Sequence, residues 1–321
     1  MQGKQYLVIV PHGPLMSLPF GALVKQQTRQ PRATPGSLPF SEYRDVPWLA
    51  LDYAISQVPS ATALHTLRKY AKPAEADLPF VGYGNPAFRG VAESDLGIRG
   101  FLKRASANSW NVRELPPLPD TADEIRGIAK TLGADDSDIF LGTRANEENV
   151  KGTSLNEYKV IAFATHGLVS GELDGLKQPA LALTPPEHMQ AGNDGLLEMG
   201  EVLGLKLDAD WVVLSACNTA AADGSLHGEG LSGLAQAFFY AGSRALLVSL
   251  WPVESSSTRL LTTTLFAVDK KNGGISRAQA LAQARQRLIK GRGFVKDGKE
   301  QFTYAHPMFW AAFIVVGEGA K

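Results

Sequence analysis

Apolar residues in this chain gather into short unbroken runs, separated by stretches with helical periodicity. The runs Tyr6–Val10, Tyr53–Val58, Phe80–Tyr83, Val160–Thr165, Trp211–Cys217, Ala245–Trp251 and Phe309–Val316 each predict a strand, and Asp138–Leu141 predicts a shorter one. Between them the pattern predicts helices. One starts after Pro59 with Ser60 as its cap, and one runs from Asp120 to about Leu132 with Glu124 near its first turn. Others span Asn146–Leu155, Leu197–Leu205, Leu231–Tyr240, Ser256–Asp269 and Ser276–Lys290. Pro179–Thr184 reads as one arm of a hairpin-like insert. Residues 25–47 and 87–119 are irregular, the second closing with Pro116-Pro117-Leu118-Pro119, and residues 71–79 read as a linker. Continuously apolar strands alternating with helices imply an α/β fold whose mostly parallel sheet is covered on both faces. The change of rhythm near Pro79 divides the chain into an N-terminal elaboration, residues 1–75, packed on a main domain, residues 76–321.

Composition narrows the function classes. The 321 residues carry 32 basic and 32 acidic side chains, so the net charge is zero, which argues against a broad surface for nucleic acid or an anionic membrane. No apolar run approaches the roughly 20 residues of a membrane span, and the start lacks the basic-plus-apolar layout of a signal peptide. Met1-Gln2-Gly3 leads almost at once into a strand, which fits either a piece of a longer chain or an abrupt start. The single cysteine forms no internal disulfide, and the chain fits a reducing, cytoplasmic compartment.

That cysteine, Cys217, ends an apolar run and is followed by a Gly-rich segment and a helix. A lone thiol is most often a buried small hydrophobe. Here the strand is stopping, and a helix N-terminus nearby favours thiolate. His166 lies 51 positions earlier, at the end of another apolar run and before Gly167. The other five histidines are scattered through turns, loops and a helix. In α/β sheets chemistry collects at the carboxyl ends of strands. If the two strands are parallel neighbours, their ends lie about 5 Å apart. A Cys and a His so placed suit a cysteine hydrolase, and the N–H of Gly167 could approach a developing oxyanion.

These residues also carry a family resemblance. Thr165-His166-Gly167 with Ser215-Ala216-Cys217 resembles the His-Gly and Ala-Cys pair of the caspase–separase group of cysteine peptidases. The chain is similar above all to the CHAT domain, the caspase-like domain associated with tetratricopeptide repeats. The similarity runs through Val8-Ile9-Val10-Pro11-His12-Gly13, Gly84-Asn85-Pro86, Gly228-Glu229-Gly230-Leu231-Ser232-Gly233-Leu234, Ser249-Leu250-Trp251-Pro252-Val253 and Trp310-Ala311-Ala312-Phe313. It implies a caspase-like three-layer α/β/α sandwich and a dyad in which Cys217 attacks a peptide carbonyl and His166 protonates the leaving amine. The N–H groups of Gly167 and Cys217 would form the oxyanion hole, and no third orienting residue is assigned. It also implies a protein or peptide substrate and a tetratricopeptide-repeat domain or partner that controls the site, in bacterial-type regulated proteolysis.

Glu254, Ser255, Asp174 and Ser215 are the candidate substrate-binding positions. Separases use an acid near the equivalent Leu-Trp element to receive a basic P1 side chain, and many CHAT domains carry two acids there. This chain has Glu254 followed by Ser255, which weakens a strict Arg or Lys preference. Glu254 reads equally well as a first-turn helix residue favoured by the macrodipole. No cofactor is expected. Gly228-x-Gly230-x-x-Gly233 matches a dinucleotide fingerprint, but it begins eleven positions after Cys217 instead of directly after the strand. No phosphate loop or zinc-ligand cluster is present. Two further readings stand beside the peptidase: a catalytically silent interaction scaffold, and an amide or acyl hydrolase acting on small substrates.

Overall fold

Eight of the apolar segments assemble into one sheet. The computed structural model describes residues 5–28, 31–70, 75–89, 111–215, 233–251, 253–271 and 274–319. The strands are β1 (Tyr6–Ile9), β2 (Ala54–Gln57), β3 (Val81–Pro86), β4 (Ile139–Gly142), β5 (Val160–Ala164), β6 (Gly167–Leu168), β7 (Ala180–Ala182), β8 (Leu196–Glu198), β9 (Trp211–Leu214), β10 (Ala245–Ser249), β11 (Phe294–Lys296), β12 (Lys299–Phe302) and β13 (Phe313–Gly317). The large sheet has the order β1-β2-β13-β10-β9-β5-β3-β4. Every pairing in it is parallel except β10 with β13. The sheet is therefore mostly parallel, as the unbroken apolar runs require. β1 and β2, from the N-terminal segment, extend it through β13.

Alternate residues of the central strands feed two cores. On one face Ala162, Val213, Leu247 and Val315 pack against Ile125 and Ile128 of α2 (Asp120–Leu132), Leu261 and Leu265 of α6 (Ser255–Lys271), and Leu281 and Ala284 of α7 (Arg277–Lys290). On the other, Ile161, Phe163, Val212 and Leu246 meet Val150 of α3 (Glu147–Gly152), Val202 of α4 (Met199–Val202), and Leu234 and Phe238 of α5 (Gly233–Ala241). This is a three-layer α/β/α arrangement in which the central strands are buried on both sides. The first helix, α1 (Ala61–Tyr70), is capped by Ser60, whose Oγ accepts from the Ala63 N–H at 2.9 Å.

Several local expectations shift. The predicted helix Leu197–Leu205 opens as β8 and becomes α4, because Glu198 and Glu201 form a capping box that starts the helix at Met199. The final strand begins at Phe313 instead of Phe309. Pro307–Phe309 is a 3-10 turn, with His306 Nδ1 accepting the Met308 N–H. The hairpin β11–β12 lies in a stretch given no strand from the sequence. It turns at Asp297-Gly298, both with positive φ (50° and 75°), a known hairpin signal. Among the described residues no helix is long and apolar enough to cross a membrane.

Two glycines with positive φ differ in what surrounds them. Gly133 (φ 81°) ends α2, and a Cβ there would meet only the Lys270 Nζ at 3.6 Å. Gly242 (φ 118°) follows α5, and a Cβ there would stand 2.2 Å from the Leu207 carbonyl oxygen. Gly133→Ala should cost about 1–2 kcal/mol, the left-handed penalty alone. Gly242→Ala should cost clearly more, because backbone must move. Urea unfolding midpoints of the two variants test this, and equal losses would show that the Leu207 segment yields freely.

Candidate active site

The parallel pairing of β5 with β9 builds the site. Their register places Phe163 beside Leu214, and the Ser215 N–H donates to the Phe163 carbonyl at 3.0 Å. The chain that leads to His166 and the chain that leads toward Cys217 thus leave the sheet side by side. Cys217 itself lies outside the described residues, as does most of the Gly-rich segment after it.

His166 is held from several directions. Its carbonyl accepts the Ala182 N–H at 2.9 Å, and the preceding Thr165 hydroxyl donates to the Ala182 carbonyl, so β7 fixes the backbone. Gly167 continues into β6, opposite Leu181. His166 is 9% exposed, and its ring lies against Phe88, with centroids 5.5 Å apart. Its Nε2 stands 2.8 Å from the Pro116 carbonyl oxygen. A carbonyl only accepts, so Nε2 carries the proton and Nδ1 is the nitrogen equipped to take one up. Pro116 therefore supplies the orienting group that sequence reasoning did not assign. No local signal marks it, because the contact joins residues 50 apart in the chain.

A cavity of about 110 Å³ opens beside His166. Ser215 and Ser255, two of the expected binding residues, line it together with Thr165, Trp251, Asp120 and Glu124. Asp174 lies elsewhere, in a separate groove with Glu114, Met189 and Asp194. Glu254 is engaged as a helix cap. Its Oε1 accepts the Ser256 N–H at 3.0 Å and its Oε2 the Ser257 N–H at 2.7 Å, at the start of α6. Of its two sequence readings, the helix-start one describes the contacts that its carboxylate makes.

Glu124 is the residue that sequence reasoning passed over. It is 3% exposed, and its Oε2 accepts the Ser215 hydroxyl at 3.0 Å, joining α2 to the end of β9. The Thr262 hydroxyl also acts on the carboxyl, but its proton goes to the Thr258 carbonyl at 3.0 Å, which leaves Oε1 without a hydrogen-bond partner. Burial pushes the carboxyl up to about 7, against the lowering effect of the hydrogen bond from Ser215. A signal existed: Glu124 precedes Ile125 and stands four before Ile128, so it falls inside the apolar stripe of its helix. Among the described residues no group of His, Cys, Asp and Glu could hold a metal ion.

The raised carboxyl has a consequence for stability. A group that binds its proton more tightly when folded destabilises the fold as pH rises from its unfolded value, 4.5, through its folded value, about 7. Relative to Glu124→Gln, the native chain should therefore lose on the order of 3 kcal/mol between pH 4.5 and 8, at about 1.4 kcal/mol per pH unit. Denaturant unfolding of both proteins across that range measures it. A constant difference would mean that the carboxylate is compensated in the fold.

Residues 1–318 match the CHAT domain family. Tetratricopeptide repeat protein 28 of Mus musculus is 25% identical over 239 residues, covering 64% of this chain, and that of Homo sapiens is 24% identical. The chain spans 9% of the length of these curated relatives. Among solved structures, the Saccharomyces cerevisiae separase–securin complex is similar at 14% identity and TM-score 0.44, over 83% of this chain and 14% of that one. The Arg-specific cysteine proteinase gingipain R is similar at 12% identity and TM-score 0.47, over 90% of this chain and 60% of that one. The match over nearly the whole length establishes that this chain belongs to the CHAT domain family.

Proposed function

We propose that the chain is a cysteine endopeptidase that uses Cys217 and His166, under the control of a tetratricopeptide-repeat domain or partner. The observation that carries this reading is the parallel pairing of β5 and β9, which brings the exit toward Cys217 beside His166. In the reaction Cys217 Sγ bonds to the peptide carbonyl carbon as its thiol proton passes to the His166 imidazole. The C–N bond breaks, and the leaving amine takes a proton from the imidazole. Water then hydrolyses the thioester, releasing the acid and restoring the thiol. The N–H groups of Gly167 and Cys217 would stabilise the oxyanion of both steps.

The tie from Nε2 to Pro116 supports this use of His166, because it sets the ring orientation and leaves proton transfer to Nδ1. The cavity supports a peptide in preference to a free small substrate. At about 110 Å³ it is near the ~150 Å³ that holds one benzene and below the roughly 300–1,000 Å³ of small-molecule sites. It has room for one side chain. Ser215 and Ser255 would contact that side chain, whereas Asp174 lines a separate groove and would not. Control by a repeat partner draws on the name of the relatives and on the small share of their length that this chain spans.

Cys217→Ala and His166→Ala should each abolish cleavage of a peptide library read by mass spectrometry, with unfolding midpoints little changed. Turnover retained in Cys217→Ala would remove the peptidase reading, since no other thiol exists. No turnover by the native chain under any condition would favour the silent scaffold. A site competent about 1% of the time loses roughly a hundredfold in apparent affinity. Adding the native repeat partner should then raise turnover by up to about that factor. Full turnover by the isolated chain, unchanged by partner, would place regulation elsewhere.

A further inference from the structure

We infer that a groove separate from the His166 cavity docks a basic peptide segment of a partner protein. The segment would seat an apolar side chain on the groove floor and set Lys or Arg side chains against an acidic rim. Such docking needs no turnover and is independent of the chemistry at Cys217.

The groove measures about 410 Å³, within the roughly 300–1,000 Å³ of ligand sites and larger than the cavity beside His166. Three parts of the chain build it. The segment before α2 gives Val112 and Glu114, the loop after β6 gives Leu173 and Asp174, and the β7–β8 hairpin gives Met189 and Asp194. The floor is apolar. Val112 and Leu173 belong to a small core with Phe88 and Leu115, and Leu196 packs against it. Met189 is 46% exposed, a flexible apolar side chain of the kind that adapts to a partner.

The rim carries one sign of charge. Glu114, Asp174 and Asp194 line the groove, and no Lys or Arg is among its described lining residues. Among the described residues none of these three carboxylates takes part in an ion pair. Cations on the same or flanking elements are outside the lining or engaged. Lys177 follows Asp174 on the loop but does not line the groove. Arg113 donates to the Pro186 and Glu187 carbonyls, and Lys151 of α3 is shared by Glu147 and Glu201 at 2.7 Å each.

The walls are already fixed. The bonds of Arg113 tie the first segment to the hairpin. The buried Glu147 carboxylate accepts the N–H groups of Asp194, at 2.8 Å, and Gly195. The loop after β6 is closed by Glu172, whose Oε2 accepts the Val169 N–H at 2.7 Å, and by the Gly171 N–H, which donates to the Leu176 carbonyl at 2.9 Å. A preformed groove costs little ordering when a ligand arrives. Its floor also shares the packing that holds the imidazole, since Phe88 lies against the His166 ring and Leu115 precedes Pro116.

Other occupants fit worse. Among the described residues no group of His, Cys, Asp and Glu could hold a metal ion. An acidic peptide or a nucleic acid would bring like charge to the rim. A polyamine would meet the carboxylates and leave the apolar floor wet. A wholly apolar segment would cover the floor and draw the carboxylates out of water without partners.

The test uses the full chain with Cys217→Ala, so that nothing is cleaved. The probe is a fluorescent peptide with a central leucine flanked by two lysines on each side, and binding is read by anisotropy at about 0.15 M ionic strength. It should bind about ten- to a hundredfold more tightly than the same peptide with glycine for leucine. Glutamate in place of lysine should weaken it by about tenfold or more, and spermidine should not compete at matched concentration. Glu114→Gln with Asp174→Asn should weaken the probe about three- to tenfold, and Met189→Ala severalfold. All three positions are exposed, and unfolding midpoints check that the variants are intact. A copy with benzoylphenylalanine for leucine should, on irradiation, label Met189 or its neighbours. Equal binding of the peptides, binding unchanged in the variants, or a label around Trp251 would overturn the assignment. Self-association of the chain that is lost in the same variants would overturn a separate partner in favour of a second copy. Turnover by the native cysteine is scored apart, so loss of the peptidase reading leaves the groove standing.

Discussion

The pairing of β5 with β9 is the constraint on which the rest of the molecule depends. Both strands lie in the interior of the sheet, all nine of their residues are buried, and each face of each strand supplies a different core. A shift of one residue would turn both apolar sets to the wrong side. That requirement locks Phe163 beside Leu214 and, with the next hydrogen bond, Ser215 beside the exit toward His166. The core thereby sets the distance between two chain exits whose chemistry it does not touch.

Around that edge the polar groups are arranged by elements from elsewhere in the chain. Pro116, from the segment before α2, accepts from the His166 ring, and Glu124, from the first turns of α2, accepts from Ser215. One short region therefore touches both strand ends. The cost is a carboxyl held in an environment that disfavours its charge, with one oxygen unmatched. A fold under selection for stability alone would place an apolar side chain there. Natural proteins depart from local consistency mainly where a site requires it, and this departure falls beside His166.

The other half of the sheet shows how the edge is completed. β13 runs antiparallel to β10, so its first residue, Phe313, comes to the same edge as the last residues of β10. Phe313 and Ser249 both line the cavity in consequence. β1 and β2 continue parallel to β13 and carry the sheet outward, so the N-terminal segment is tied to the C-terminal strand by direct pairing.

The sequence by itself determined the features that are local. Unbroken apolar runs mark fully buried strands, and the polar residues that follow them, Thr165-His166 and Ser215, mark where the chain leaves the sheet. The α/β layering follows from the same periodicity, and the motifs along the chain carried the family. The hairpin signal at Asp297-Gly298 was equally local and went unread for want of a strong apolar run on either side. What only the tertiary structure decided depends on strand order. Pro116 and His166 are 50 residues apart, and Glu124 and Ser215 are 91 apart. No periodicity reports such a meeting, because it is set by which strands become neighbours. The contacts that Glu254 makes depend on the folded chain in the same way. Its carboxylate turns toward the N–H groups of Ser256 and Ser257, a direction that the sequence, which offered a capping and a pocket role at one position, does not report.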